Sequence, residues 1–188
     1  MPRVTVEKLT FGFPESMDAQ KYDDWTHYRQ VWNLSPRSQK AVDVVAVETS
    51  ASPVTTWMIE AKDFRIVTSP PDPSNLTGLP ETVAAKVQDT LAGLADAADH
   101  ATVPTERALA EQAKTATIRR IVLHLEPHTG PHTALFPMRF AADVLQRLRQ
   151  MPQVRAIDSN PLVLSIATTP RSGVPWTVEH TPEALSGA

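Results

Sequence analysis

Three charged side chains lie in two runs that otherwise read as buried β-strands. Asp43 lies in KAVDVVAVE (residues 40–48), and Glu60 and Lys62 lie in VTTWMIEAKDFRIVT (residues 54–68). Side chains two positions apart share one face of a strand, so Glu60 and Lys62 point the same way. The short linker favours an antiparallel hairpin, in which facing side chains lie ~4.5–5.5 Å apart. Asp43 and Glu60 are therefore expected to approach each other.

Two carboxylates at that separation repel unless a cation lies between them. Carboxylate oxygens and water are the ligands that Mg²⁺ and Mn²⁺ prefer. Such an ion would polarise a phosphoryl oxygen and lower the pKa of a water, which Lys62 is placed to orient or deprotonate. The alternative is a solvated face, with Glu60 and Lys62 in a surface salt bridge and Asp43 capping a strand edge. The dense β-branched runs around all three residues favour a partly buried site.

These residues resemble a nuclease signature. An Asp in one strand, Glu-x-Lys in the next and a helix after them is similar to the PD-(D/E)xK superfamily, over about residues 20–126. KAVD, IEAKDFR and KVQDTLAGL also resemble small bacterial proteins of this superfamily. The resemblance implies that Asp43, Glu60 and the backbone carbonyl of Ala61 bind the metal, and that Lys62 assists the attacking water. Val42 stands where the family pattern has proline.

The resemblance also implies a fold and an activity. The expected fold is α/β, bordering on α+β, and restriction-endonuclease-like. It has a mixed central sheet flanked by helices and an αβββαβ core. The expected activity is Mg²⁺- or Mn²⁺-dependent endonucleolytic hydrolysis of DNA, by analogy within a restriction or phage-defence system. The net charge of −3 lacks the basic excess of a non-specific DNA binder, so a homodimer or a partner protein is expected to supply targeting. The rival hypothesis is a non-catalytic binding or assembly subunit with the same fold.

Further charges are candidates for the surroundings of the site. The family often has another acid on the first helix, and spacing leaves three choices, of which Asp24 is favoured: Glu15, Asp23 and Asp24. Lys86, one turn into the following helix, is a candidate to lie beside the site or contact a phosphate. Arg65 and Lys40 flank the hairpin and could also meet phosphates. Each of the three cations could equally be a solvated surface charge.

Histidines supply a third hypothesis. His124, His128 and His132 are spaced by four, and Glu126 is two residues from His124. On a helix this spacing would predict a zinc site, but the prolines and the glycine between them exclude a helix there. His124 and Glu126 are expected to share one face of a strand instead.

The periodicity predicts alternating strands and helices around these residues. The predicted strands are 3–13, 40–48, 54–68, 118–126, 154–157 and 162–166, and the predicted helices are 18–33, 82–99, 105–115 and about 137–150. One domain is expected over 1–167, followed by a tail over 168–188 that is extended or partly disordered unless Trp176 anchors it.

Composition sets the remaining expectations. The chain has no cysteine, which excludes disulfides and thiolate metal sites. It has no apolar run of membrane-spanning length and no secretion-signal pattern at its start. A cytoplasmic location without membrane attachment is therefore expected.

Overall fold

The computed structural model describes residues 1–34, 39–50, 52–66, 76–128 and 139–181. These residues form eight strands: β1 (Arg3–Val6), β2 (Leu9–Gly12), β3 (Met17–Lys21), β4 (Val44–Glu48), β5 (Thr55–Asp63), β6 (Ile118–Glu126), β7 (Leu162–Leu164) and β8 (Thr177–His180). The helices are α1 (Leu79–His100), α2 (Pro104–Thr115), α3 (Phe140–Gln150) and α4 (Pro152–Arg155). None of the helices in these ranges is long and apolar enough to cross a membrane.

The larger sheet is mixed, as predicted. Its five strands run in the order β3-β4-β5-β6-β7. Strands β3, β4 and β5 are antiparallel neighbours, whereas β5, β6 and β7 are parallel. The predicted hairpin is confirmed, with Val44 opposite Ile59. Because β5 and β6 are parallel, the chain must cross over between them, and α1 and α2 lie on that connection.

Helices cover one face of this sheet, and a second sheet covers the other. The smaller sheet has the order β1-β2-β8 and is antiparallel. Because successive side chains of a strand point to opposite faces, β4 contributes to both cores. Val45 and Val47 pack in the core on the helical side, and Val44 and Ala46 pack in the core under the smaller sheet. The chain is thus a mixed α/β protein of three layers.

The single strand predicted over residues 3–13 is wrong, because the segment is a hairpin. Strands β1 and β2 pair with Val6 opposite Leu9, which leaves Glu7 and Lys8 as a two-residue turn. Glu7 has φ of 53°, the left-handed conformation that tight hairpin turns require. Apolar residues alternate on both sides of the turn, at Val4 and Val6 and then at Leu9 and Phe11, and the shift of one position between these pairs is the signal that the prediction missed.

The helix predicted over residues 18–33 is also wrong. Its first residues form β3, which pairs with β4, and a 3₁₀ turn (Tyr22–Asp24) and a π-helical turn (Tyr28–Trp32) follow. The aromatic spacing that suggested a helix reflects ring packing in the core. The Tyr22 ring centroid lies 4.8 Å from that of Trp25 and 5.6 Å from that of Tyr28. Pairing with β4 overrides the local helical period.

The later elements follow the predictions more closely. Helices α1 and α2 begin near their predicted residues, and β6 has its predicted bounds. Strand β5 ends at Asp63 and a 3₁₀ turn (Phe64–Ile66) follows it, so the predicted strand over 54–68 was too long. The strand predicted over 154–157 is wrong, because α4 lies there with Pro152 in its first turn, a position that proline favours.

The segment after residue 167 packs against the start of the chain. A 3₁₀ turn (Thr169–Arg171) leads to β8, which pairs with β2. Trp176 is 3% exposed, and its ring centroid lies 5.7 Å from that of Phe13 and 4.9 Å from that of Trp57. Trp176 therefore anchors the segment that follows residue 167, as far as the described residue 181.

Gly93 allows the aromatic segment to pack closely on α1. A Cβ at this position would lie 2.9 Å from Trp32 Nε1 and closer still to the buried Tyr22 hydroxyl.

Replacing glycine by alanine in a helix ordinarily stabilises by about 1 kcal/mol, but overpacking in a core costs about 1–3 kcal/mol. Gly93→Ala is therefore expected to lower the free energy of unfolding, as measured by urea denaturation. In a Tyr22→Phe background the penalty should shrink. A Gly93→Ala protein more stable than wild type would contradict this packing.

Candidate active site

The β4–β5 pairing brings the two predicted metal-binding acids together. Val44 lies opposite Ile59, so Asp43, immediately before β4, lies opposite Glu60 in the same register. Glu60 follows Met58 by two residues and therefore points to the helical side of the sheet, where Met58 lies in the core. Both acids are buried, with exposures of 8% for Asp43 and 1% for Glu60.

Two lysines bind the Glu60 carboxylate. Lys62 Nζ lies 2.8 Å from Glu60 Oε1. Lys86, which α1 contributes, donates to Oε1 at 2.7 Å and to Oε2 at 2.8 Å, and its Nζ lies 4.0 Å from Asp43 Oδ1. The structure thus brings Asp43, Glu60, Lys62 and Lys86 together, and these four residues are called the charge cluster below. The sequence analysis predicted Lys86 beside the site, and the structure places it in direct contact with Glu60.

Ala61 presents its backbone to the same place. Its N–H donates to Asp43 Oδ2 at 2.7 Å, because β4 begins only at Val44 and offers Ala61 no partner within the strand. The N–H and C=O of one residue in an antiparallel pair point to the same side, so the Ala61 carbonyl also lies on the β4 side of β5. The N–H of Val42, which lies opposite Ala61 in this register, donates to Thr90 Oγ1 at 3.0 Å instead.

The charge cluster pairs two acids with two lysines, and burial shifts the pKa of Glu60 and of Lys62. Burial, and then the neighbouring Asp43, raise the pKa of Glu60 to about 7, even though Lys62 and Lys86 act in the opposite direction. Burial would lower the pKa of Lys62, but Glu60, Asp43 and Glu7 raise it overall. Lys62 is consequently an ammonium at neutral pH that donates hydrogen bonds. The prediction that Lys62 orients a water therefore fits this structure better than deprotonation of that water.

The raised pKa of Glu60 predicts a pH-dependent stability. The pKa of Glu60 is 4.5 in the unfolded chain and about 7 in the folded protein. Between these two pH values the folded protein holds the Glu60 proton more tightly than the unfolded chain does, so ionisation of Glu60 destabilises the folded state as pH rises. The shift corresponds to ~3 kcal/mol. The free energy of unfolding of Glu60→Gln, relative to wild type, should therefore rise by about this amount from pH 4.5 to about pH 8.

Urea denaturation across this pH range measures the effect. Glu111→Gln on the exposed face of α2 is a matched control and should leave the slope against pH unchanged. A constant difference between Glu60→Gln and wild type at every pH would show that Glu60 does not titrate in this window.

The charge cluster fits a divalent cation. Its two carboxylates, and the backbone carbonyl of Ala61 on the same side of β5, are oxygen ligands of the kind that Mg²⁺ and Mn²⁺ prefer. The Lys86 ammonium contacts Glu60 and lies 4.0 Å from Asp43, so a cationic group already lies near both acids. No group of three His, Cys, Asp or Glu side chains within the described ranges could hold a metal ion. A divalent cation at the charge cluster would therefore depend on Asp43, Glu60 and the Ala61 carbonyl for its protein ligands.

The structure favours Asp23 over Asp24 as the additional acid. Asp23 lines a cleft together with Asp43 and Lys86, and burial, with a contribution from Asp43, raises its pKa. Lys21 Nζ lies 3.7 Å from Asp23 and 3.1 Å from Asp24, and Asp24 alone also pairs with Arg29 on the surface. The sequence-based preference for Asp24 assumed a helix, and the 3₁₀ turn directs the two side chains differently. Glu15 is exposed and pairs with the amino terminus.

Glu7 lies near the site, and the sequence analysis missed it. Its Oε2 accepts a hydrogen bond from the Asp63 N–H at 2.9 Å, and its charge contributes to raising the pKa of Lys62. Glu7 lies in the β1–β2 turn, within what was predicted to be a continuous strand. Its position in the sequence carries no local signal, because packing of the smaller sheet on β5 brings it to Asp63 and Lys62.

The two remaining predicted cations differ in position. Arg65 Nε and Nη2 donate to the Asp63 carboxylate at 2.8 and 2.6 Å, and its guanidinium also contacts His180. Asp63 and Arg65 are thus held in a separate ion pair outside the charge cluster. Lys40 is exposed and lines the same cleft as Asp43. Of the two, only Lys40 is positioned beside the proposed site.

The histidines form no zinc site among the described residues. His124 Nε2 lies 2.9 Å from Glu126 Oε1, and the His124 ring meets Phe11 edge-on at 5.4 Å. Burial alone would raise the pKa of Glu126, but hydrogen bonds from His124 and the Ile166 N–H lower it. His128 Nδ1 contacts the Phe64 carbonyl at 3.0 Å, and His132 lies outside the described residues. His124 and Glu126 share a strand face, as predicted, in the core beneath the smaller sheet.

Comparison with known proteins adds one partial similarity. A cysteine–tRNA ligase of Neisseria meningitidis serogroup A is 30% identical over an alignment of 152 residues, and the similarity covers 67% of this chain and 21% of the ligase. The chain therefore spans about a fifth of the length of this relative. No family model matches the chain, and no solved structure matches it.

Proposed function

We propose that this chain is a metal-dependent nuclease that hydrolyses phosphodiester bonds in DNA. The observation that carries the proposal is the convergence of Asp43, Glu60 and Lys62, together with Lys86, beside an open cleft. Acids and ammonium groups in this arrangement suit a phosphodiester, because its negative charge grows during hydrolysis.

The strand order supports a restriction-endonuclease-like fold as part of the proposal. Three antiparallel strands, β3, β4 and β5, are followed by α1 and α2 and then by β6, parallel to β5. This is the order βββαβ of the expected core. The leading helix of that core is replaced here by the β1–β2 hairpin, which is the main departure from the expected pattern.

Each residue has a role that follows from its contacts. Asp43, Glu60 and the Ala61 carbonyl would hold the metal, which when bound polarises a phosphoryl oxygen and makes a water more acidic. Lys62 remains an ammonium and would orient the attacking water or stabilise the phosphoryl charge through its hydrogen bonds. Lys86 binds both oxygens of Glu60, so it orients this carboxylate and offsets its charge. Asp23 and Lys40 line the approach.

Calorimetric titration with Mn²⁺ tests the metal site. Wild-type protein is expected to bind Mn²⁺, and Asp43→Ala should lose this binding because the remaining carboxylate faces two lysines. Asp24→Ala is the matched control, because it removes an acid of the same segment that pairs on the surface. Unchanged Mn²⁺ binding by Asp43→Ala, or no binding by wild type, would exclude a metal site at Asp43.

The second candidate is a non-catalytic nucleic-acid-binding or assembly module of the same fold. The partial similarity to a cysteine–tRNA ligase favours it, because the name of that protein specifies a tRNA and only about a fifth of that protein is matched. The net charge of −3 also favours a module that works beside other protein parts. This candidate predicts nucleic-acid binding without Asp43-dependent cleavage, so the two candidates separate in a cleavage assay.

A further inference from the structure

The cleft beside the charge cluster has the size of a small-ligand site. Its volume is about 480 Å³, within the range of about 300–1,000 Å³ that is typical of pockets for small organic molecules. Asp43 and Lys86 form part of its wall, and the other walls come from the segments on either side of residues 35–38. The cleft can therefore hold one small planar unit directly beside Asp43 and Lys86.

One wall presents an aromatic ring in a fixed orientation. The Tyr28 hydroxyl donates to the Gln39 carbonyl at 3.0 Å, and the ring packs against buried Tyr22. Tyr28 itself remains partly exposed and lines the cleft. An aromatic face held in this way suits the stacking of a nucleobase, since every base has a π-face.

The remaining lining supplies charge and hydrogen-bonding groups. Lys40 is a cation beside the ring, and Arg29 is held by the Asp23 carbonyl at 2.9 Å and pairs with the Asp24 carboxylate. The amide side chains of Asn33 and Gln39 both donate and accept hydrogen bonds, as contacts to the edge of an unpaired base require. The cleft thus offers phosphate, stacking and base-edge contacts together.

Two exposed apolar side chains lie close in sequence to the lining residues Tyr28 and Asn33. Val31, in the π-helical turn (Tyr28–Trp32), is 56% exposed, and Leu34, two residues after the turn, is 72% exposed. Apolar side chains that project beside a nucleic-acid site can insert between neighbouring bases and unstack them. Their position next to Tyr28 and Asn33 fits that role.

We propose that the cleft binds one unpaired nucleotide of a single-stranded nucleic acid, with its base stacked on Tyr28. The placement of the adjoining phosphodiester at Asp43 and Glu60 rests on the proposed nuclease function, whereas the binding itself does not. Duplex binding draws mainly on phosphate contacts, which a protein of net charge −3 makes sparingly. Stacking needs no net positive charge, so it favours an unpaired strand over a duplex.

Fluorescence anisotropy in EDTA tests the preference without cleavage. The probes are a short labelled single-stranded DNA of mixed sequence, an RNA of the same sequence and the blunt DNA duplex. A single strand is expected to bind at least about tenfold more tightly than the duplex, and binding of either the DNA or the RNA strand supports the proposal while identifying the sugar. Equal or tighter binding of the duplex would overturn it.

Variants of Tyr28 test the stacking. Tyr28→Ala should weaken single-strand binding by roughly tenfold or more, because stacking contributes about 1–3 kcal/mol per base and 1.4 kcal/mol corresponds to about tenfold. Tyr28→Phe keeps the ring and should bind nearly as wild type. Lys40→Ala should weaken binding and reduce its salt dependence, whereas Lys114→Ala, which removes a lysine paired with Asp99 elsewhere, should not.

The outcomes separate this inference from the proposed function. Tyr28-dependent binding without Asp43-dependent cleavage would refute the nuclease and keep the nucleotide site. Cleavage that depends on Asp43 but not on Tyr28 would refute the nucleotide site and keep the nuclease. If Tyr28→Ala does not fold, Asn33→Ala and Gln39→Ala decide, since either should change the preference among bases and the absence of any change would count against the site.

Discussion

Replacing Asp43 by alanine is expected to reduce Mn²⁺-dependent DNA cleavage by roughly 100- to 1,000-fold. The magnitude follows from the several kcal/mol that a metal contributes to stabilising transition-state charge, at 1.36 kcal/mol for each tenfold in rate. Asp43 lies opposite Glu60 and near Lys86, so its removal leaves one carboxylate among two ammonium groups. A cation then loses one of its two carboxylate ligands.

The fold should survive this substitution. Asp43→Ala removes the acceptor of the Ala61 N–H, a loss that costs about 1–3 kcal/mol, but it also relieves Glu60 of a neighbouring negative charge. Cleavage of supercoiled plasmid and of single-stranded DNA under single-turnover conditions measures the effect, with Tm recorded for each protein. Asp24→Ala should cleave as wild type, and cleavage by Asp43→Ala at the wild-type rate would refute the assigned role.

Replacing Trp176 by alanine is expected to destabilise the protein by about 3–5 kcal/mol. This is the usual loss for a buried tryptophan, and Trp176 is 3% exposed. Its ring lies between the smaller and larger sheets, against Phe13 and Trp57. Its removal would also loosen β8 from β2, so the effect should extend to the β1–β2 hairpin that carries Glu7.

Urea denaturation measures this prediction. Trp176→Phe should lower the free energy of unfolding by less, because a smaller ring still fills part of the space. Arg171→Ala, on the exposed surface nearby, should change the free energy of unfolding little. An unchanged free energy of unfolding for Trp176→Ala would mean that the segment after residue 167 contributes nothing to the core in solution.

The hairpin of the site could be predicted because its signals are local. The β-branched runs, the short linker and the alternation of side chains indicated two antiparallel strands, and the register of Asp43 with Glu60 follows from strand geometry alone. The position of Lys86 beside the site could also be predicted from the sequence, because α1 has a clear helical period. The metal, the substrate and the nuclease activity remain predictions for the experiments above.

Other features of the candidate site depend on contacts that no local pattern encodes. Asp23 rather than Asp24 faces the cleft because a 3₁₀ turn replaces the predicted helix. That helix is absent because β3 gains more by pairing with β4. Glu7 and Lys62 are 55 positions apart in the chain, and only the packing of the smaller sheet on β5 brings their charges together.

The sequence by itself determined which charged residues share one strand face, and the tertiary structure decided what surrounds them. Residue types and strand alternation place Asp43, Glu60 and Lys62 on one face, since that depends on neighbours in the chain. Burial of Glu60 and the direction of Asp23 depend on elements distant in sequence. Desolvation and charge–charge interaction act through space, so the raised pKa of Glu60 and the cleft beside it emerge only when the three layers are packed.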